Sequence, residues 1–252
     1  EADLLVEVTA SPQSDGEPGF AHMQEALGRR IPVVTSNKWP VALHGVELTE
    51  LARHEGVAFR AESTVMSGTP VLSTLVEGLA GTTPTALRGI LNATANFVLT
   101  AMTNGKTYED ALAEAQAIGL AERDPAADVE GHDAVAKTMI LAALVFGRQL
   151  RPEQVARRGI AEVTRAELSK ADRAGTRIKH VSTLELSGDE LEARVEPVEL
   201  PADDPLATVE GVTNAVICRA EPVGEVTVIG PGAGPALAGQ GVLSDLIAVA
   251  SR

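Results

Sequence analysis

The spacing of apolar and polar positions changes period several times along this chain. "DLLVEVT" (Asp3 to Thr9) and "IPVVTSN" (Ile31 to Asn37) are short apolar runs rich in β-branched residues. Between them lie the turn-rich "ASPQSDGEPG" and the amphipathic "FAHMQEALGRR". That order predicts strand, loop, helix, strand. A further helix, "GVELTELARHEG", carries Val46, Leu48, Leu51 and Ala52 on one face and ends at Gly56, ahead of a strand "VAFRA". Strands alternating with helices at this spacing predict a parallel α/β sheet with right-handed crossovers.

After Glu62 the helical segments lengthen: "PVLSTLVEGLAG", "ATANFVLTAMTNG", "TYEDALAEAQAIG" and an almost wholly apolar run from Ala134 to Gly147, with "ALRGILN" a strand between the first two. From Thr176 strands return as "TRIKHVSTLEL" and "ELEARVEPVEL", joined by a hairpin at "SGD", and later as "NAVICRA" and "EVTVIG". This middle portion reads as an α+β unit. The chain closes on "GPGAG" and an apolar helix with Leu243, Leu246, Ile247 and Val249. No G-x-G-x-x-G precedes Asp3, so the first strand arrives without the glycine loop that opens a dinucleotide fold. The expectation is the later part of a larger protein.

Composition narrows the class. With 252 residues and 44% hydrophobic positions, the chain can bury one large core or two smaller ones. No run reaches the roughly 20 apolar residues needed to cross a bilayer, and the first residues lack the basic start of a signal peptide. A cytoplasmic protein with no membrane contact is expected. Thirty-five acids against 21 bases give a net charge of −14, which repels nucleic acid and anionic lipid. Five lysines and 2% aromatic residues suit a halophilic host as well as a GC-rich genome. The single Cys218 allows no internal disulfide and no multi-cysteine metal site, so redox chemistry needs a borrowed cofactor.

Candidate chemistry concentrates in "AERDPAADVEGHDAVAKTMILAALVFG" (Ala121 to Gly147), where Glu122, Asp124, Asp128, Glu130 and Asp133 stand ahead of a helix whose one interior charge is Lys137. Asp133 and Lys137 are four apart and share a face. At a surface such a pair is an ordinary helix-start ion pair, worth a few tenths of a kcal/mol. In an apolar helix an unpaired lysine costs several kcal/mol, so a lysine kept there is paired and a candidate for function. The acids fail the calcium-loop pattern, because a glycine at Gly131 puts Ala126 at the first ligand position. Facing a lysine, they suit a small ligand with an amino group and a distal oxygen; the alternative is a solvated loop in an acidic protein. Lys38 and Thr9 fall at carboxyl ends of predicted parallel strands, where open α/β sheets bind ligands. "GPGAG" (Gly230 to Gly234) could admit a cofactor to the backbone. The five histidines show no zinc spacing.

Taken in order, "TSNK" (Thr35 to Lys38), "ESTVMSGTPV" (Glu62 to Val71), "GILNATANFVLTAM" (Gly89 to Met102), Ala115 to Leu141 and the closing "GPGAG…GVLSDLIAVA" resemble the homoserine dehydrogenase family across nearly the whole chain. The resemblance implies NAD- or NADP-dependent interconversion of L-homoserine and L-aspartate 4-semialdehyde, on the route to threonine and methionine. It implies an incomplete Rossmann-type NAD(P)-binding domain over residues 1–62, an α+β catalytic and dimerisation domain over 63–225, and a segment 226–252 returning to the nucleotide-binding part. Lys137 matches the proton donor, and Lys38 the catalytic lysine beside the nicotinamide that shares in substrate binding or proton transfer. Glu122, Asp128 and Asp133 match substrate-binding acids; Thr9, Gly119 and Gly234 match cofactor contacts. Glu62, Val65, Ser67 and Thr69 fall where the family binds Na+ or K+, mostly through backbone carbonyls. A homodimer is implied. Asn92-Ala93-Thr94 stands where the family usually has Asn-Gly-Thr. A non-catalytic amino-acid-binding relative without the cofactor cradle is the alternative, which retention of Lys137 and Lys38 disfavours. A thioester route would need a poised cysteine, and Cys218 lies in a strand-like run.

Overall fold

The computed structural model describes residues 2–251. Strands β1 (Leu5–Glu7), β2 (Val33–Thr35) and β3 (Phe59–Arg60) form a parallel sheet in the order β1-β2-β3. Helices α1 (Gly19–Gly28) and α2 (Lys38–Glu55) make the crossovers. Met23 and Leu27 of α1 and Leu48 of α2 pack with Val33, all fully buried. The helix expected from Gly45 begins earlier, at Lys38. Pro40 sits in its first turn, where the missing N–H has no intrahelical partner to lose. His44 then departs from helical geometry at φ −134°, its ring stacked on Phe20 of α1 with centroids 3.8 Å apart. That kink breaks the apolar period and hides the first piece from sequence reading.

The short helix α3 (Ser63–Met66) and a π-helical turn at Ser73–Gly78 lead into a second sheet. It holds β4 (Thr83–Ile90), β5 (Val155–Arg157), β6 (Thr176–Ser187), β7 (Glu190–Pro201), β8 (Thr213–Glu221) and β9 (Gly224–Pro231), in the order β5-β7-β6-β4-β8-β9. Every neighbouring pair is antiparallel except β5 with β7. Helices α4 (Ala93–Thr103), α5 (Tyr108–Ala117), α6 (Ala126–Val129), α7 (His132–Phe146) and α8 (Arg165–Arg173) complete this part. The α/β plus α+β architecture expected from the sequence is the one observed.

Helix α7 is the spine. Every residue from Ala134 through Ala143 is buried, so the helix is covered all round rather than on one stripe. It packs on α2 on one side and on β6 and β7 on the other. Ile140 and Leu141, both fully buried, each contribute about 1.5–3 kcal/mol of apolar burial. The last helix, α9 (Pro235–Ala250), inverts the expectation: Asp245 and Gly241 are its buried residues, while Leu243 and Ile247 are 49% and 58% exposed. A Cβ at Gly241 would lie 2.4 Å from the Ser67 carbonyl oxygen. Close backbone approach to α3, rather than the apolar stripe, decides which face α9 turns inward. Among the described residues no helix is long and apolar enough to cross a membrane.

Candidate functional site

The site is built at the start of α7. Gly131, at φ +86°, ends α6 and opens α7, and a Cβ there would come 3.1 Å from the buried His180 ring. Asp133 follows in the first helical turn, where the helix dipole favours a carboxylate. One turn on, the Lys137 Nζ lies 2.8 Å from Asp133 Oδ2 and donates to the Leu91 carbonyl at 2.7 Å. The other oxygen of Asp133 takes the ammonium of Lys38, the first residue of α2. One carboxylate thus joins two lysines from the two parts of the fold.

The electrostatics follow from that geometry. Burial alone would push the Asp133 carboxyl up, but the ammonium groups of Lys137 and Lys38 hold it well below the usual carboxylate range. For Lys38, burial pulls the ammonium down; Asp133, with Asp128 and Glu122 further off, outweighs it and leaves the group above its ordinary value. Lys137 spends two of its three N–H donors on Asp133 and Leu91. A third remains for a ligand.

A cavity of about 340 Å³ opens over this floor. Lys38, Asn92, Asp128, Asp133 and Lys137 line one side, and Gly232 to Pro235, at the start of α9, line the other. Val65 and Ser67 border it too. A second cavity of about 290 Å³ shares Lys38, Asp128 and Asp133 and adds Glu122, Asp124 and Trp39. Glu122 is therefore a neighbour of the floor rather than part of it.

Four expected site residues border neither cavity. Thr9 lies exposed beyond β1 and donates its backbone N–H to the Glu7 carboxylate at 3.0 Å. Gly119, at φ +73°, closes α5, and its neighbour Leu120 reaches both cavities. Glu62 is buried with its carboxylate accepting from the backbone N–H groups of Leu72 and Ser73 at 2.8 and 2.7 Å. Its own N–H donates to Asp245, whose carboxyl is pushed up to about 6 by burial. Thr69 donates its hydroxyl to the Pro231 carbonyl at 2.9 Å, and Ser67 to that of Gly232 at 3.2 Å. Ser67 and Thr69 therefore anchor the glycine turn. Among the described residues no three His, Cys, Asp or Glu side chains gather to hold a metal.

The turn itself is constrained from below. A Cβ at Gly232 would fall 2.2 Å from the Asn214 amide, which is fully buried on β8. Gly232→Ala is expected to destabilise by roughly 1–3 kcal/mol through overpacking. Thermal melts check this: a melting temperature within a degree of the parent would show that Asn214 can move aside.

The sequence marks Asn92 only as part of the Asn92-Ala93-Thr94 stretch and assigns it no role in the site. Its side-chain oxygen accepts from the Ala95 N–H at 2.8 Å, capping α4, while its Nδ2 donates to Asp128 Oδ1 at 2.7 Å and Asp133 Oδ2 at 2.9 Å. An asparagine just ahead of a helical run is a legible cap signal. Its reach to two acids more than 30 residues away is not.

Three parallel strands joined to a largely antiparallel sheet through a lysine-bearing helix define a Rossmann-type α/β protein with an α+β partner unit. The homoserine dehydrogenase family profile matches residues 70–247. The NAD(+)-dependent homoserine dehydrogenase of Pseudomonas canavaninivorans is 45% identical over 98% of this chain and 70% of its own length. The structure of a homoserine dehydrogenase from Thiobacillus denitrificans superposes with a TM-score of 0.90 at 35% identity, over 98% of this chain and 57% of that one. A hyperthermophilic archaeal homoserine dehydrogenase in complex with NADPH gives 0.81 at 34%, over 97% and 72%. The chain belongs to the homoserine dehydrogenase family. It spans between 57% and 72% of the length of these three relatives.

Proposed function

We propose that this protein interconverts L-homoserine and L-aspartate 4-semialdehyde with NAD or NADP, in the cytoplasm, on the route to threonine and methionine. One observation carries the reading: a single carboxylate, Asp133, with its side chain 10% exposed, holds Lys38 and Lys137 together on the floor of a cavity walled by the Gly232 to Gly234 turn. The glycine turn suits a nicotinamide cofactor. Gly234 adopts φ +128°, and a Cβ added there would meet nothing nearer than 3.7 Å, so the backbone presents an unobstructed surface to a ligand. Lys38 and Gly234 would border the cofactor, with Thr9 and Gly119 further along it. When bound, it supplies the hydride acceptor for alcohol oxidation.

The chain's own residues do the rest. Lys137 gives a proton to the aldehyde oxygen in reduction and takes it from the hydroxyl in oxidation. Asp128, Asp133 and Glu122 receive the ammonium end of the amino acid. Lys38 tightens the substrate end beside the hydride path. Residues 1–62 with 226–252 serve the cofactor, and 63–225 the substrate and the pairing of subunits in a homodimer. The backbone of Glu62, Val65, Ser67 and Thr69 would take Na+ or K+.

The test is homoserine-dependent reduction of NAD and NADP by the protein expressed from its complete reading frame, in low and molar KCl. Reduction that requires homoserine is expected. No reduction, with homoserine still bound by calorimetry, would replace the enzyme by an amino-acid-binding protein.

A further inference from the structure

We infer that Asn92 is a positioning residue which fixes the two acids that receive the substrate's ammonium group; this rests on the reading of the site as an amino-acid site. Asn92 is 5% exposed, and its amide is spent in three directions. The oxygen caps α4 through the Ala95 N–H; one N–H goes to Asp128 and the other to Asp133. The orientation is unambiguous. A flipped amide would set its NH₂ against a backbone N–H and its oxygen against two carboxylates.

Helix capping does not select asparagine, since aspartate and serine cap about as well. What only asparagine supplies is a cap with two donors on its far side. Asp128 and Asp133 come from separate elements, α6 and α7, and their oxygens converge on one nitrogen. Without a donor between them, two carboxylates that close would repel or share a proton. With it, Asp128 is held by one oxygen, and among the described residues nothing donates to its other oxygen. Asp128 lines both cavities, and its unbonded oxygen is the acceptor left for a ligand ammonium. Asp133 is meanwhile held with Oδ2 toward Lys137 and Oδ1 toward Lys38. The residue therefore acts on substrate affinity first and on proton transfer only through Asp133.

Two substitutions separate this role from capping. Asn92→Ser keeps a cap and is too short to reach either acid. Asn92→Asp keeps both cap and shape, and replaces the donors by a carboxyl that donates only when protonated. With the protein from its complete reading frame, Asn92→Ser should melt within a few degrees of the parent, while Asn92→Asp should melt lower at pH 8, where its carboxylate repels Asp128 and Asp133, and recover as pH falls. The KM for homoserine should rise roughly tenfold or more, the worth of about one charge-assisted hydrogen bond, while kcat falls less. The loss in Asn92→Asp should shrink as pH is lowered from 8 to 5.5, whereas that in Asn92→Ser should stay constant.

Calorimetry with L-homoserine and with 4-hydroxybutyrate, which lacks the amino group, gives a readout that needs no turnover. The parent should prefer homoserine, and the preference should drop roughly tenfold or more in Asn92→Ser. An unchanged preference in Asn92→Ser, or no preference in the parent, overturns the inference. Absence of homoserine-dependent reduction in the parent overturns the enzyme reading separately.

Discussion

Lys137→Ala is expected to lower kcat by at least about 10²-fold while homoserine still binds, the range typical of losing a positioned general acid–base. The side chain is 10% exposed, and its ammonium is held by a helix-mate carboxylate and a strand-end carbonyl rather than by solvent. Among the described residues no other lysine borders the cavity except Lys38, which bonds the other oxygen of Asp133. The acids that take the substrate's amino group remain, with Asp133 still paired to Lys38, so KM should move little. A fall in kcat and kcat/KM together is the signature of an interaction made in the transition state. Truncation to alanine also leaves room where an ammonium stood, so small primary amines added to the assay should restore part of the rate. A kcat near that of the parent, or a loss that falls entirely on KM, would remove Lys137 from proton transfer.

How far this site could be read from the sequence depends on the range of each interaction. The pairing of Asp133 with Lys137 was legible because four residues along a helix fix two side chains on one face. The burial of Lys137 was legible from the apolar run around it. The parallel strands and most helices followed from period and turn chemistry, and the six-stranded sheet was foreseen strand by strand except for β5. That strand is three residues long, too short to show an alternation. Helix α8 was also missed. It carries a capping box, with Thr164 and Glu167 each bonded to the other's backbone, but Leu168 and Ala171 are its only buried residues, too few apolar positions to announce a helix by themselves. Lys38 was expected on a strand's far end and stands there, yet its meeting with Asp133, 95 positions away, comes from α2 packing on α7. No local pattern encodes such a contact. Asn92 shows the same limit, its cap visible in the sequence and its bridge visible only in the fold.

Asp133→Asn is expected to cost both stability and activity, and more stability than any other single change at the floor. Three donors converge on this side chain: Lys38 on one oxygen, Lys137 and Asn92 on the other. Asparagine offers one acceptor oxygen and presents an NH₂ to whichever side it does not face. One lysine at least loses its partner, and two ammonium groups are left beside each other without the charge that separated them. Removing one member of a buried ion pair costs roughly 3–5 kcal/mol. For a chain of this size that is a fall in melting temperature of about 10 °C. Because the folded carboxyl is held below its unfolded value near 3.9, its contribution is complete above that value and is lost only as pH falls through the depressed one. The gap in melting temperature between parent and variant should therefore be constant from pH 8 down to about 5 and close only in stronger acid. A gap already closed at pH 5 would mean that the carboxyl titrates in its ordinary range and that the two lysines do not hold it ionised.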